Sequence, residues 1–152
     1  MSIRVIRPGE GEMVGVGPIR IRIIEDGSHT QHRIGLIEAT IPPGPAAPPQ
    51  HVHREHDEVF IVTAGKLRFT SGAVSVEAEE GAVVVAPAGT PHTFSNPFDA
   101  PTTFLCSVTP DLYIQYFRDS STLAVNAHGM PTDPAEVGRI MARYATAVVR
   151  PG

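Results

Sequence analysis

Short runs of alternating residues, cut at close intervals by turn formers, constrain this chain most. Ile19-Arg20-Ile21-Arg22-Ile23 places every second side chain on an apolar face, the pattern of a half-buried strand. Asp26-Gly27 follows, a hairpin-turn signal, and Ile34 to Ile41 reads as the returning strand. Further short strands are predicted at about His51–His53, Glu58–Thr63, Lys66–Thr70, Ala73–Ala78, Ala82–Ala86, Pro91–Ser95 and Thr102–Val108. Turns containing Gly65, Gly72, Gly81 and Gly89 separate most of them. Strands this short and this closely spaced argue for an all-β sandwich or barrel. Ile3 to Ile6 is expected to add an edge strand. Pro42 to Gln50 contains five prolines, so it is a stiff connection that cannot pair in mid-sheet.

The last third changes period. Thr109-Pro110-Asp111 is expected to open a short helix through Phe117, with Thr109 as its N-cap. Asp133-Pro134-Ala135-Glu136 has the spacing of a second helix start. Val137, Ile140, Met141 and Tyr144 then share one face, which is expected to dock against the barrel. The expected organisation is one domain over 1–152, with a barrel over about 19–108 and a helical extension over about 109–150.

Composition removes several function classes. The 152 residues carry 12 Lys and Arg against 16 Asp and Glu, for a net charge of −4, and only Lys66 is a lysine. No basic patch is visible, so nucleic acid is not an expected partner. No apolar run approaches the length of a membrane span, so no membrane is expected. Met1 to Val5 lacks the apolar centre of a secretion signal, and a cytoplasmic setting is expected. Cys106 is the sole cysteine, which excludes an internal disulfide and a thiolate zinc site; in a β-run it reads as a small buried hydrophobe. Gly9-Glu10-Gly11 and Gly15-Val16-Gly17 lack the strand–turn–helix context of a nucleotide loop.

Seven histidines direct attention to metal chemistry. His51-Val52-His53 puts two imidazoles on one side of a strand, with Cα atoms roughly 6.6 Å apart. Glu58 has the wrong parity to join them on an unbroken strand. It reaches the same point only if the polar stretch Arg54 to Asp57 turns and delivers it on a neighbouring strand. Phe60 and Val62 would then share its inward face. Gly81 to Asn96 forms a second unit, in which an apolar strand enters a Pro-x-Gly turn and returns through His92, with Phe94 and Asn96 on the same face. A solitary His-x-His is usually a surface pair, so the weight lies in the combination.

Together these segments resemble the cupin superfamily. Its first motif, G-x5-H-x-H-x3–4-E-x6-G, is met by Gly44, His51, His53, Glu58 and Gly65, with one extra residue before His51. Its second, G-x5-P-x-G-x2-H-x3-N, is met without deviation by Gly81, Pro87, Gly89, His92 and Asn96. The resemblance implies a double-stranded β-helix, or jelly-roll, barrel with short C-terminal helices. It also implies one divalent transition metal held by His51, His53, Glu58 and His92. Three imidazoles and a carboxylate suit Fe, Mn, Ni, Cu or Zn and leave positions on an octahedral ion for small oxygen ligands. Phe60, Val62 and Phe94 are candidate pocket residues.

Asn96 is expected to satisfy backbone groups near the turn. His56, in the proposed turn, is expected to face solvent, the alternative being a role behind or in place of one of the ligands; His29, His32 and His128 are expected at the surface. A looser resemblance, over Asp57–Val62, Pro87–Phe94 and Thr109–Arg118, is to small single-domain cupins related to quercetin 2,3-dioxygenase. It implies a dioxygenase acting on a small enolic or phenolic substrate with O₂, Glu58 serving as both ligand and general base. The alternatives are a non-oxidative cyclase or isomerase on a polyketide-like or sugar-like substrate, and a metal-containing binding module. A homodimer is the expected assembly.

Overall fold

The computed structural model describes residues 3–44 and 47–149. Pro45 and Ala46 of the proline stretch, and the ends of the expected 1–152 domain, lie outside the described residues. The backbone builds two facing sheets and a short C-terminal extension. The larger sheet has six strands in the order β1-β2-β3-β10-β5-β8. These are β1 (Glu12–Val16), β2 (Ile19–Asp26), β3 (Gly35–Ile41), β5 (Asp57–Ala64), β8 (Val83–Ala86) and β10 (Thr102–Thr109). The opposite layer contains β7 (Val74–Glu79), β6 (Lys66–Ser71) and β9 (Thr93–Ser95), paired in that order. Isolated bridges from Gly44 to Asn96 and from His51 to His92 join β9 to β4 (His51–His53). β4 in turn pairs with β11 (Thr146–Val148). This is the jelly-roll architecture.

Alternation places the core. On β2, Ile19, Ile21 and Ile23 point inward and are buried; on β5, Phe60 and Val62 are. Ile41, Phe104, Cys106 and Val108 close the same interior. Each such side chain withdrawn from water contributes about 1.5–3 kcal/mol, which makes this face the main stabilising element. Buried Asn96 holds the ends together. Its Nδ2 donates to the carbonyls of Ile41 (3.1 Å) and Ala100 (2.8 Å), and its Oδ1 accepts from the Phe98 amide.

Several expectations are corrected. Ile3 to Ile6 forms no strand: Ile3 and Val5 are exposed and find no apolar surface. The N-terminal edge strand is β1, hidden in the sequence by Gly11, Gly15 and Gly17. Asp26-Gly27 does lead into the expected β2–β3 hairpin, but through a longer connection than the dipeptide suggests. Asp26 still pairs with Gly35, and residues 27–34 form the connection. Thr109 does not cap a helix, because it continues β10 and pairs with Asp57. The first helix, α1, starts later, at Ile114–Ser120. Gly35 lets it approach: a Cβ there would collide with the Ile114 side chain.

The second helix, α2 (Pro134–Ala142), begins as expected. Asp133 Oδ1 accepts the Ala135 amide at 2.8 Å, and Ile140 and Met141 are buried against the core. The extension is not helical throughout, because β11 ends it. Among the described residues no helix is long and apolar enough to cross a membrane.

Candidate metal centre

β4 delivers His51 and His53 to the interior with Val52 turned away. The turn at Arg54–His56 then reverses the chain, so Glu58 takes the first inward position of β5, in register with Val108 and Ala86. His92 arrives beside His51 through two backbone hydrogen bonds, His51 N to His92 O (2.9 Å) and His92 N to His51 O (2.8 Å). Gly89, at φ +83°, permits the Pro-x-Gly turn, and its amide donates to His53 O at 2.7 Å. Asp57 Oδ1 accepts the Ala88 amide at 2.8 Å, tying the two motif turns together. The odd parity of Glu58 is resolved by a turn, as the spacing requires.

All four side chains are buried, and each offers a donor atom within 4.8 Å of the others'. Each histidine is fixed from outside. His51 Nδ1 donates to Pro49 O (2.8 Å) and His92 Nδ1 to Thr90 O (2.9 Å). A carbonyl only accepts, so both rings carry their proton on Nδ1. His53 Nδ1 lies 2.7 Å from Thr146 Oγ1, whose own hydrogen is given to Tyr144 O at 3.0 Å. Its proton must therefore also sit on Nδ1. Three Nε2 lone pairs are thus turned inward, the arrangement an outer shell imposes on metal-binding imidazoles. His53 Nε2 is buried without a hydrogen-bond partner, an orphan that a cation would satisfy. These residues fit a divalent transition metal.

Electrostatics agree with a site built for a cation. Burial, reinforced by His53 and His92, lowers the His51 pKa to about 4. Burial also lowers that of His53. At His92 burial opposes the charged form, but the Glu58 carboxylate 3.0 Å away outweighs it and raises the pKa. Burial would raise Glu58 as well, yet the imidazoles of His53, His56 and His92 crowded around its carboxylate hold its carboxyl well below the usual range. A buried carboxylate at this position is tolerable only where positive charge, from a protonated imidazole or a cation, can face it.

A cavity of about 70 Å³ meets this centre at His51 and Glu58. Phe60 and Phe94 line it, as do Phe104 and Cys106 from β10 and, from the C-terminal extension, Tyr113 and Tyr116. Val62 is buried core and does not reach the cavity. No Lys or Arg is among the lining residues.

Two features escaped the sequence. His56 does not face solvent. Its side chain is 0% exposed and its ring packs 4.2 Å from that of His53. Thr146 enters through the pairing of β11 with β4, which sets it opposite His53. His29, His32 and His128 are exposed, as expected. Cys106 and Asn96 occupy the structural positions foreseen for them.

Residues 37–108 match the Cupin domain family. The barrel has the cupin-type jelly-roll fold. No curated protein matches the chain. Among solved structures, this chain is similar to a predicted oxalate decarboxylase from Thermotoga maritima at TM-score 0.63 and 17% identity, covering 70% of this chain and 99% of that one. It is similar to a sugar phosphate isomerase of the cupin superfamily from Silicibacter pomeroyi at TM-score 0.61 and 24% identity, covering 70% and 75%. KdgF from a Halomonas species aligns at TM-score 0.63 and 17% identity, covering 72% and 94%. At these identities the likeness shows the fold.

Proposed function

We propose that this cupin is a metal-dependent dioxygenase acting on a small, uncharged enol or phenol. The cavity carries this reading. It touches the donor set at two residues, and its remaining wall is almost entirely apolar and aromatic. A phosphorylated sugar or a dicarboxylate brings a second negative charge that the ion alone would have to meet, since no Lys or Arg lines the cavity. One water needs at least about 10–15 Å³ on the scale of this cavity, so the space suits a small ring.

His51, His53, Glu58 and His92 would hold the ion, which supplies Lewis acidity toward a substrate oxygen and, when redox-active, chemistry with O₂. The protein's own part follows from placement. Phe60 and Phe94 line the cavity and keep water out. Glu58, at the cavity wall, takes the enol or phenol proton as general base. The substrate would then react as its anion, and a dioxygenase outcome would place both atoms of O₂ in the product. A cytoplasmic homodimer goes with this proposal; edge strand β1 and the exposed Ile61, Val83 and Val85 on the outer face of β5 and β8 are surfaces available for pairing.

Oxygen-electrode assays test the proposal. Protein reconstituted separately with Fe, Mn, Ni, Cu and Zn is offered a panel of small enols and phenols. Metal-dependent uptake stoichiometric with substrate loss is expected. No uptake across the panel would refute it. Turnover in strict anaerobiosis with zinc would move the assignment to the non-oxidative cyclase or isomerase, and tight binding without turnover to a binding module.

A further inference from the structure

The metal-site reading leaves one group unexplained. His56 is buried completely, and neither of its ring nitrogens has a hydrogen-bond partner. Polar atoms left unpaired in an interior are destabilising, so an apolar ring would pack better here. The fourth donor, Glu58, is differentiated at its two oxygens. Oε2 faces the inner nitrogens of His92 (3.0 Å) and His53 (3.4 Å). Oε1 faces His56 Nε2 at 3.7 Å. The three imidazoles of the donor set each have an outer partner that fixes them, in Pro49 O, Thr146 Oγ1 and Thr90 O. Glu58 Oε1 has none at hydrogen-bond distance.

We propose that His56 is the positioning residue for Glu58, donating Nε2–H to Oε1 so that the carboxylate presents Oε2 alone to the ion. The present contact is longer than a hydrogen bond, and a shift of about 0.8 Å closes it. The ring plane is already set, since His56 lies tilted 33° against His53 with Tyr113 5.4 Å away on the same ring. Held in this way, Glu58 cannot chelate with both oxygens, and positions on the cavity side stay open. This inference rests on the metal-site reading above.

The test uses the full chain as wild type, His56→Phe and His56→Gln, with Co(II) as the probe ion. Phe keeps the ring volume without a donor; Gln keeps an N–H near the Nε2 position. Co(II) affinity is read by chelator competition, the visible d–d spectrum reports coordination, and thermal unfolding of the metal-free proteins reports folding. The expected result for His56→Phe is a 10–100-fold loss of affinity and an altered spectrum, with a metal-free Tm equal to or above wild type. His56→Gln should recover most of the affinity and the wild-type spectrum. A Phe variant that binds Co(II) like wild type with an unchanged spectrum overturns the inference. So does a folded Gln variant as impaired as Phe. A wild-type protein that takes up no Co(II) instead overturns the metal-site reading itself.

Discussion

Thr146→Val is the sharpest test of how the C-terminal extension serves the site. Valine keeps the branched shape and suits a strand, so β11 should still pair with β4. What disappears is the acceptor 2.7 Å from His53 Nδ1. Both residues are 2% exposed, so water cannot replace it. Stranding a buried donor costs about 1–3 kcal/mol. The ring can escape by moving its proton to Nε2, but that removes the inward lone pair. Metal binding therefore bears the loss, an expected 10–100-fold weaker affinity, or about 1.4–2.8 kcal/mol. Chelator competition at constant pH measures it, and long-range ¹⁵N–¹H NMR on the metal-free protein identifies the His53 tautomer. Thr146→Ser keeps the hydroxyl and loses one methyl, so it should cost about 0.8 kcal/mol of stability while leaving affinity close to wild type. A Val variant with undiminished affinity and the proton still on Nδ1 would refute the reasoning.

Two further outcomes are expected. Glu58→Gln should reduce turnover more than it reduces bound metal, if the carboxylate is also the base; equal losses, by elemental analysis and oxygen uptake, would leave it only a ligand. The metal-free protein should lose stability as the pH falls from about 6.5 to about 4, because unfolded His51 takes up a proton near 6.5 while the folded residue stays neutral to about 4. That group alone contributes a slope of about 1.4 kcal/mol per pH unit. His53 acts in the same direction. His92, whose pKa is raised, acts oppositely, with stability lost as pH rises through its folded value. Urea midpoints at pH 6.5 and 4.5, compared with those of His51→Phe, check it: an identical pH response in the two proteins would sink the assignment.

Local pattern made most of the barrel legible. β3, β5, β6 and β10 have clean alternation or firm glycine boundaries and lie within one residue of the bounds their sequence predicts, while β2 runs three residues past the alternating stretch, to Asp26. The donor set was legible because its motif spacings encode a turn that no simple strand parity allows. What stayed hidden was non-local. β11 spans three residues, Thr146–Val148, whose identity as a strand depends on β4, about 95 positions earlier. No periodicity can announce such a partner. His56 sits among Arg54, Glu55 and Asp57, a polar neighbourhood that reads as surface, and only the packing of Tyr113 and His53 around its ring reveals an interior position. Thr109 beside Pro110 looks like a helix start, but the ladder with Asp57 claims it for β10.

The cavity wall has two owners. Barrel strands supply one side, with Phe60, Phe94 and Phe104, while Tyr113, Tyr116, Phe117 and Met141 come from beyond residue 108, where the family match ends. Substitutions at Tyr116, Phe117 or Met141 would therefore reshape which guest is admitted, whereas Tyr113, packed against the rings of His53 and His56, and Thr146, bonded to His53, tie the same segment to the metal-site histidines. On the proposed function, reactivity is written in two turns of the barrel, and the segment that follows them both selects the guest and steadies one of the donors.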